Sequence, residues 1–174
     1  MSLRRGGSVS RGVVMRASDL LNAYWDGTLP VDPERIARAM GVQVLREFGM
    51  NGCSGQVQFE NGSPVIRFDV TEAPVRQRFT IAHEIGHIAL GHLQGVQACF
   101  RDPPTNFSTG ANRPEETAAN AFAADLLMPE RVLRYVIDEK GVQDVARLAN
   151  LFAVSQVAMR YRLMNLNLLP AHSY

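Results

Sequence analysis

Apolar residues recur at helical spacing over 75–91, where Ile81, Ala82, Ile85, Ile88 and Ala89 group on one side while His83, Glu84 and His87 lie largely on the other. A second helical pattern over 114–129 starts at Pro114, which suits a first turn, and ends at Pro129. On it Glu116, Ala119, Asn120, Ala123 and Leu127 share a face whose two alanines allow close packing against the first helix. Upstream, 17–26 and 32–41 read as helices, the latter with Asp32 as cap, Pro33 in its first position and Gly41 at its exit. From 42 to 69 the period changes to two. Segments 42–45, 55–59 and 65–68 then read as strands, with Asn61-Gly62 as a type I′ hairpin turn and Pro64 at an edge or a strand start.

The pattern predicts an α+β fold, mainly helical, with a small antiparallel sheet of about three strands ahead of the helix that carries the histidines. A free edge of that sheet could pair with an extended peptide. Residues 101–113 are rich in turn formers and read as a loop, in which Phe107 is an isolated aromatic that could cover a cleft. The C-terminal third reads as helices over 129–140, 144–152 and 155–163, and the last two, with Ser155 as N-cap, resemble a helix-turn-helix unit. Packing by Leu148, Phe152, Val154, Ala158 and Leu163 accounts for that pair without DNA, and Arg160 and Arg162 form only a thin basic patch. The organisation expected is a flexible basic tail over 1–16, a zincin-like core over 17–129 and a helical segment over 130–174 packed on it.

Composition narrows the class. With 174 residues, 46% hydrophobic and 20% charged, the chain suits one domain with a sizeable core. A net charge of +1 supplies no global pull towards nucleic acid, so direct nucleic-acid binding is not expected. No apolar run reaches the roughly 18 residues of a membrane span, and the N-terminal stretch lacks the apolar region of a signal peptide. Cys53 and Cys99 have no metal-site or redox-motif spacing and read as reduced thiols of a cytoplasmic protein, with disulfide pairing as the alternative that no spacing supports.

The chemistry concentrates in His83-Glu84-Ile85-Gly86-His87. Histidines four apart on a helix aim at one point, and an H-E-x-x-H run is the pattern of a zinc site with its general base attached. Glu84 points about 100° round the helix from His83, too far to join the same coordination shell but within reach of a water on the metal. Zinc lowers that water's pKa towards about 7 and the carboxylate takes its proton. The third ligand expected on the next helix is Glu116. Asn120, one turn on, is placed to hold a histidine's second nitrogen from outside the coordination shell. Glu115 is the competing ligand, pointing about 100° away towards Phe122 and Leu126. A histidine six residues after the second with an intervening glycine would define another zincin pattern, but those positions hold Leu93 and Leu90. His92 therefore reads as a surface or outer-shell residue near the helix end, and His172 carries no signal. The residues do not distinguish zinc from manganese or iron.

The run Arg78-Phe79-Thr80-Ile81-Ala82-His83-Glu84-Ile85-Gly86-His87, followed by Glu116-x-x-Ala119-Asn120-x-Phe122-Ala123-x-x-Leu126-Leu127-Met128-Pro129, resembles the ImmA/IrrE family of bacterial and phage metallopeptidases. The resemblance covers roughly 17–169 and is densest over 76–129. It implies a gluzincin-like site with His83, His87 and Glu116 as zinc ligands and Glu84 as catalytic carboxylate. It further implies an intracellular endopeptidase that cuts a helix-turn-helix repressor and so releases stress or mobile-element genes. The contrasting expectation is a regulatory DNA- or protein-binding module with an inactive or structural metal site.

Overall fold

The computed structural model describes residues 14–92, 99–100 and 114–169. The expectations for the tail up to residue 13, for the 101–113 loop with Phe107 and for His172 lie outside the described residues.

Seven helices and four strands are described, in the order α1 (Ala17–Tyr24), α2 (Pro33–Ala39), β1 (Gln43–Glu47), β2 (Gly55–Glu60), β3 (Ser63–Asp69), α3 (Pro74–Ala89), β4 (Cys99–Phe100), α4 (Pro114–Leu127), α5 (Glu130–Asp138), α6 (Val145–Phe152) and α7 (Gln156–Asn165). The α+β, mainly helical architecture is the one expected. Local chemistry sets several boundaries. Asp32 caps α2 by accepting from the Arg35 amide at 3.1 Å, and Pro33 occupies its first turn. Asp144 caps α6 from the Arg147 amide at 2.8 Å, and Ser155 caps α7 from the Ala158 amide at 3.1 Å. Asn61 and Gly62 both take positive φ, 49° and 81°, as the type I′ turn between β2 and β3 requires.

The sheet is mixed rather than purely antiparallel. Its order is β1-β3-β2-β4, with β1 parallel to β3, and with β2 antiparallel to both β3 and β4. The hairpin turns β3 back along β2, and α2 delivers β1 to the far side of β3 running the same way. β3 is therefore central, and Pro64 stands at its second position, near the strand start. At Gly55 and Gln56, β2 is paired on its outer side with Phe100 and Cys99, so β4 is the edge there.

One contiguous core draws side chains from α1 through α7, including Leu20, Ile36, Ile66, Phe68, Ile85, Leu126, Leu133, Phe152 and Leu163. Burial of this apolar area is the main favourable term in folding. Two charged side chains tie the layers through main-chain carbonyls. Arg78 on α3 donates to Ala153 O at 3.1 Å and to Val31 O at 2.5 Å, joining the α6–α7 corner to the start of α2. Arg162 donates through Nε to Met128 O at 3.1 Å and pairs with Asp125 at 2.7 Å. Arg162 is therefore buried and does not belong to the basic patch read from the sequence, which leaves Arg160 as the exposed arginine of that pair.

Asp69 closes the loop after β1. Its carboxylate accepts from the amides of Gly49, Met50 and Thr71 and from the Thr71 hydroxyl, which hold its pKa down at about 2, the Thr71 hydroxyl contributing most. Cys53, expected as a free thiol, is disulfide-bonded, and the chain's other cysteine is Cys99. The sequence spacing gave no hint, because the pairing of β4 with β2 brings distant segments side by side. No helix among the described residues is long and apolar enough to cross a membrane.

Candidate metal centre

α3 was expected to be amphipathic, yet it is buried all round from Phe79 to Ala89, with His83, Glu84 and His87 at 1%, 1% and 5% exposure. The aliphatic side enters the core, while α4 and β2 cover the polar side. Two glycines permit that cover. A Cβ added at Gly86 would stand 3.2 Å from the Ala119 backbone and from Phe122 Cβ, tighter than ordinary contact, so the bare glycine favours the close approach of α4. A Cβ at Gly55 would stand 2.2 Å from Thr80 Cγ2 and 3.5 Å from Glu84 Oε1, so β2 passes directly beside the carboxyl group.

The approach of α4 brings Glu116 to the histidines. The two Nε2 atoms of His83 and His87 are 3.0 Å apart, Glu116 Oε2 is 3.2 Å from His83 Nε2, and Oε1 is 3.5 Å from His87 Nε2. Glu115, one residue away, is exposed. Asn120 Oδ1 accepts from His83 Nδ1 at 2.9 Å, and His92 Nδ1 lies 3.2 Å from His87 Nδ1. Each histidine thus has its inner nitrogen turned to Glu116 and its outer nitrogen held by a neighbour.

The chemistry of this triangle suits a cation. Burial lowers the pKa of His83 and keeps its imidazole neutral, and its Nδ1 proton is committed to Asn120. With that proton at Nδ1, Nε2 would be the nitrogen offered to a metal ion. The imidazole contacts, that of His83 first, hold Glu116 well below the usual carboxylate range, so it is anionic. Two imidazole nitrogens and a carboxylate converging at 3.0–3.5 Å are a donor set that a positive ion among them would hold together. Tetrahedral zinc with bonds of about 2.0–2.2 Å needs donors roughly 3.3–3.6 Å apart, close to the separations present. Among the described residues, His83, His87 and Glu116 are the group of donors that could hold a metal ion. The donor set fits zinc.

Glu84 stands apart from the triangle. Both its oxygens and the Thr80 hydroxyl, one turn earlier, are buried with no hydrogen-bond partner among the described residues. Desolvation, with a smaller contribution from the charge of Glu116, raises the Glu84 pKa well above the ordinary 4.5. A buried carboxyl left without partners is costly to a fold, and such groups are the ones that call for a functional explanation. A raised pKa moves a carboxylate into the range where it can take and return a proton near neutrality. Gly55, Thr80 and Gly86 escaped the sequence reading because their roles are spatial. Gly86 did leave a signal, since the smallest side chain on the histidine helix stands where an alanine-bearing face of the next helix must dock.

Residues 37–164 match the profile of a peptidase family described as the IrrE N-terminal-like domain. The chain is also similar to the radiation response metalloprotease IrrE of Deinococcus radiodurans, at 34% identity over 110 residues. That alignment takes in 60% of this chain and 32% of the relative, so the match spans about a third of the relative's length.

Proposed function

Because the chain belongs to the IrrE N-terminal-like peptidase family, we propose that it is a zinc-dependent endopeptidase whose substrate is a helix-turn-helix repressor, cut at one site to release stress or mobile-element genes. The observation that carries the peptidase reading is the convergence of His83 Nε2, His87 Nε2 and Glu116 beside a buried carboxyl without partners.

His83, His87 and Glu116 would hold the ion, which supplies Lewis acidity towards water and the scissile carbonyl. Glu84 takes the proton of the attacking water as the oxygen bonds to the carbonyl carbon. It then returns that proton to the amide nitrogen as the C–N bond breaks. Burial suits it to both steps, since raised basicity favours accepting the proton and a dry setting favours delivering it to the amine. Asn120 fixes the tautomer and ring plane of His83. β2, drawn against Thr80 and Glu84 at Gly55, forms the wall of the site, and β4 is the nearest strand edge to which an extended peptide could add.

The repressor substrate rests on the sequence resemblance, and the link to stress is supported by the radiation response named for the Deinococcus relative. A repressor substrate would place the protein in the cytoplasm. The Cys53 disulfide is the observation against that compartment, and the redox state of Cys53 in freshly lysed cells decides it. The test of function is to incubate the zinc-loaded chain with a purified helix-turn-helix repressor from the same genome and to sequence the product termini. One new internal terminus, absent with a chelator, is the expected result. Processing of every unfolded protein at equal rate would replace the specific reading with general proteolysis, and no cleavage of any substrate would leave a regulatory module.

A further inference from the structure

We propose that His92 is a positioning residue for His87, accepting the Nδ1 proton of that imidazole and so fixing its Nε2 towards Glu116; this rests on the metal reading above. The placement follows from how α3 ends. Gly91 has a left-handed φ of 75°, its amide donates to Ile88 O at 3.2 Å, and the His92 amide donates to His87 O at 2.9 Å. Those paired bonds define a Schellman motif with Leu90 as C-cap, Gly91 at C′ and His92 at C″. The motif folds the C″ side chain back over C3, and the C3 residue here is His87. In such motifs an apolar contact frequently fills that place. Here the rings meet edge to face, with centroids 5.3 Å apart, planes at 66° and the two Nδ1 atoms at 3.2 Å.

Proton accounting sets the direction of the bond. His87 Nε2 faces His83 Nε2 and Glu116 Oε1, so a metal ligand there needs its lone pair at Nε2 and its proton at Nδ1. His92 Nδ1 is then the acceptor. Asn120 does the same for His83 from α4. One ligand is thus oriented across the helix pair and the other by the cap of its own helix. Gly91 acts through the turn it allows, since a Cβ there would meet nothing within 4 Å among the described residues but would strain the backbone.

The test uses the full chain, with zinc affinity measured by competition against a chromophoric chelator and the cobalt(II) spectrum as a second readout. His92→Phe keeps a ring in the cap without an acceptor, and His92→Asn restores an acceptor near the position of Nδ1. Loss of an outer-shell partner typically costs ten- to a hundredfold in metal affinity, so His92→Phe should bind zinc about tenfold or more weakly with shifted cobalt bands, and His92→Asn should stay within about threefold of wild type. Thermal midpoints of both variants report whether the cap itself has failed. Wild-type affinity in His92→Phe, or equal loss in both variants, overturns the inference while leaving the metal site standing. A wild type that takes up no zinc overturns the metal reading and this inference together.

Discussion

The corner where α7 meets the end of α4 and the seam where α3 meets α4 and β2 both bury charged side chains, and they treat them oppositely. At the corner Arg162, 9% exposed, donates to Met128 O and pairs with Asp125. In the seam Glu84, 1% exposed, has no hydrogen-bond partner for either oxygen among the described residues, and two imidazole nitrogens and a carboxylate converge beside it. The first arrangement stabilises the fold. The second costs stability, and it persists because the surrounding core over-determines it. Completeness of hydrogen bonding, rather than burial or charge, separates the structural site from the chemical one.

The largest effect that would break the comparison is on metal binding. Glu116→Ala should weaken zinc binding more than a hundredfold, beyond what loss of an outer-shell contact typically costs, while Glu115→Ala leaves it unchanged. Competition titration reads both, and the reverse ranking would transfer the third donor to Glu115.

On the structural side, Arg162→Met should lower the unfolding free energy by about 2 kcal/mol, the scale of a hydrogen bond to a charged group plus a carbonyl left unsatisfied. Its zinc affinity should match wild type. Denaturant unfolding with and without metal checks this, and a variant that loses zinc but not stability would show that the corner belongs to the site.

The smallest effect concerns Asp69, also fully bonded. Its folded pKa, about 2, lies below the ordinary 3.8, so the carboxylate contributes stability that is complete above 3.8 and is lost as pH falls from there towards 2. Asp69→Asn lacks that dependence. The stability gap between wild type and Asp69→Asn in urea should be constant from pH 7 to 5 and should narrow below pH 4. A gap that widens on acidification would contradict the bonding described.

Much of this was legible in the chain because it depends on local spacing. The 3.6 period, the Asn61-Gly62 turn and the Asp32 and Ser155 caps set the helices and the hairpin. The i, i+4 spacing put His83 and His87 on one face, and the shared face of α4 singled out Glu116 and Asn120. What could not be read depends on partners distant in sequence or on main-chain atoms. The parallel pairing of β1 leaves no trace in alternation. The burial of Arg162 depends on the carbonyl of Met128, which any residue would supply. The disulfide at Cys53 follows strand pairing rather than motif spacing. His92 was set aside as a ligand because its spacing fits no ligand pattern and read as a surface or outer-shell residue; its contact with His87 depends on the cap that Gly91 before it signals.

The central claim is that Glu84 is left unsatisfied for chemistry and not for the fold, and Glu84→Gln tests it most directly when zinc content, unfolding free energy and repressor cleavage are measured on one preparation. The account predicts unchanged zinc, stability equal to or above wild type because a buried carboxyl has been neutralised, and cleavage reduced by about 10²–10⁴-fold, the usual contribution of a general base. A variant that cleaves like wild type, or one that unfolds more easily, would contradict it.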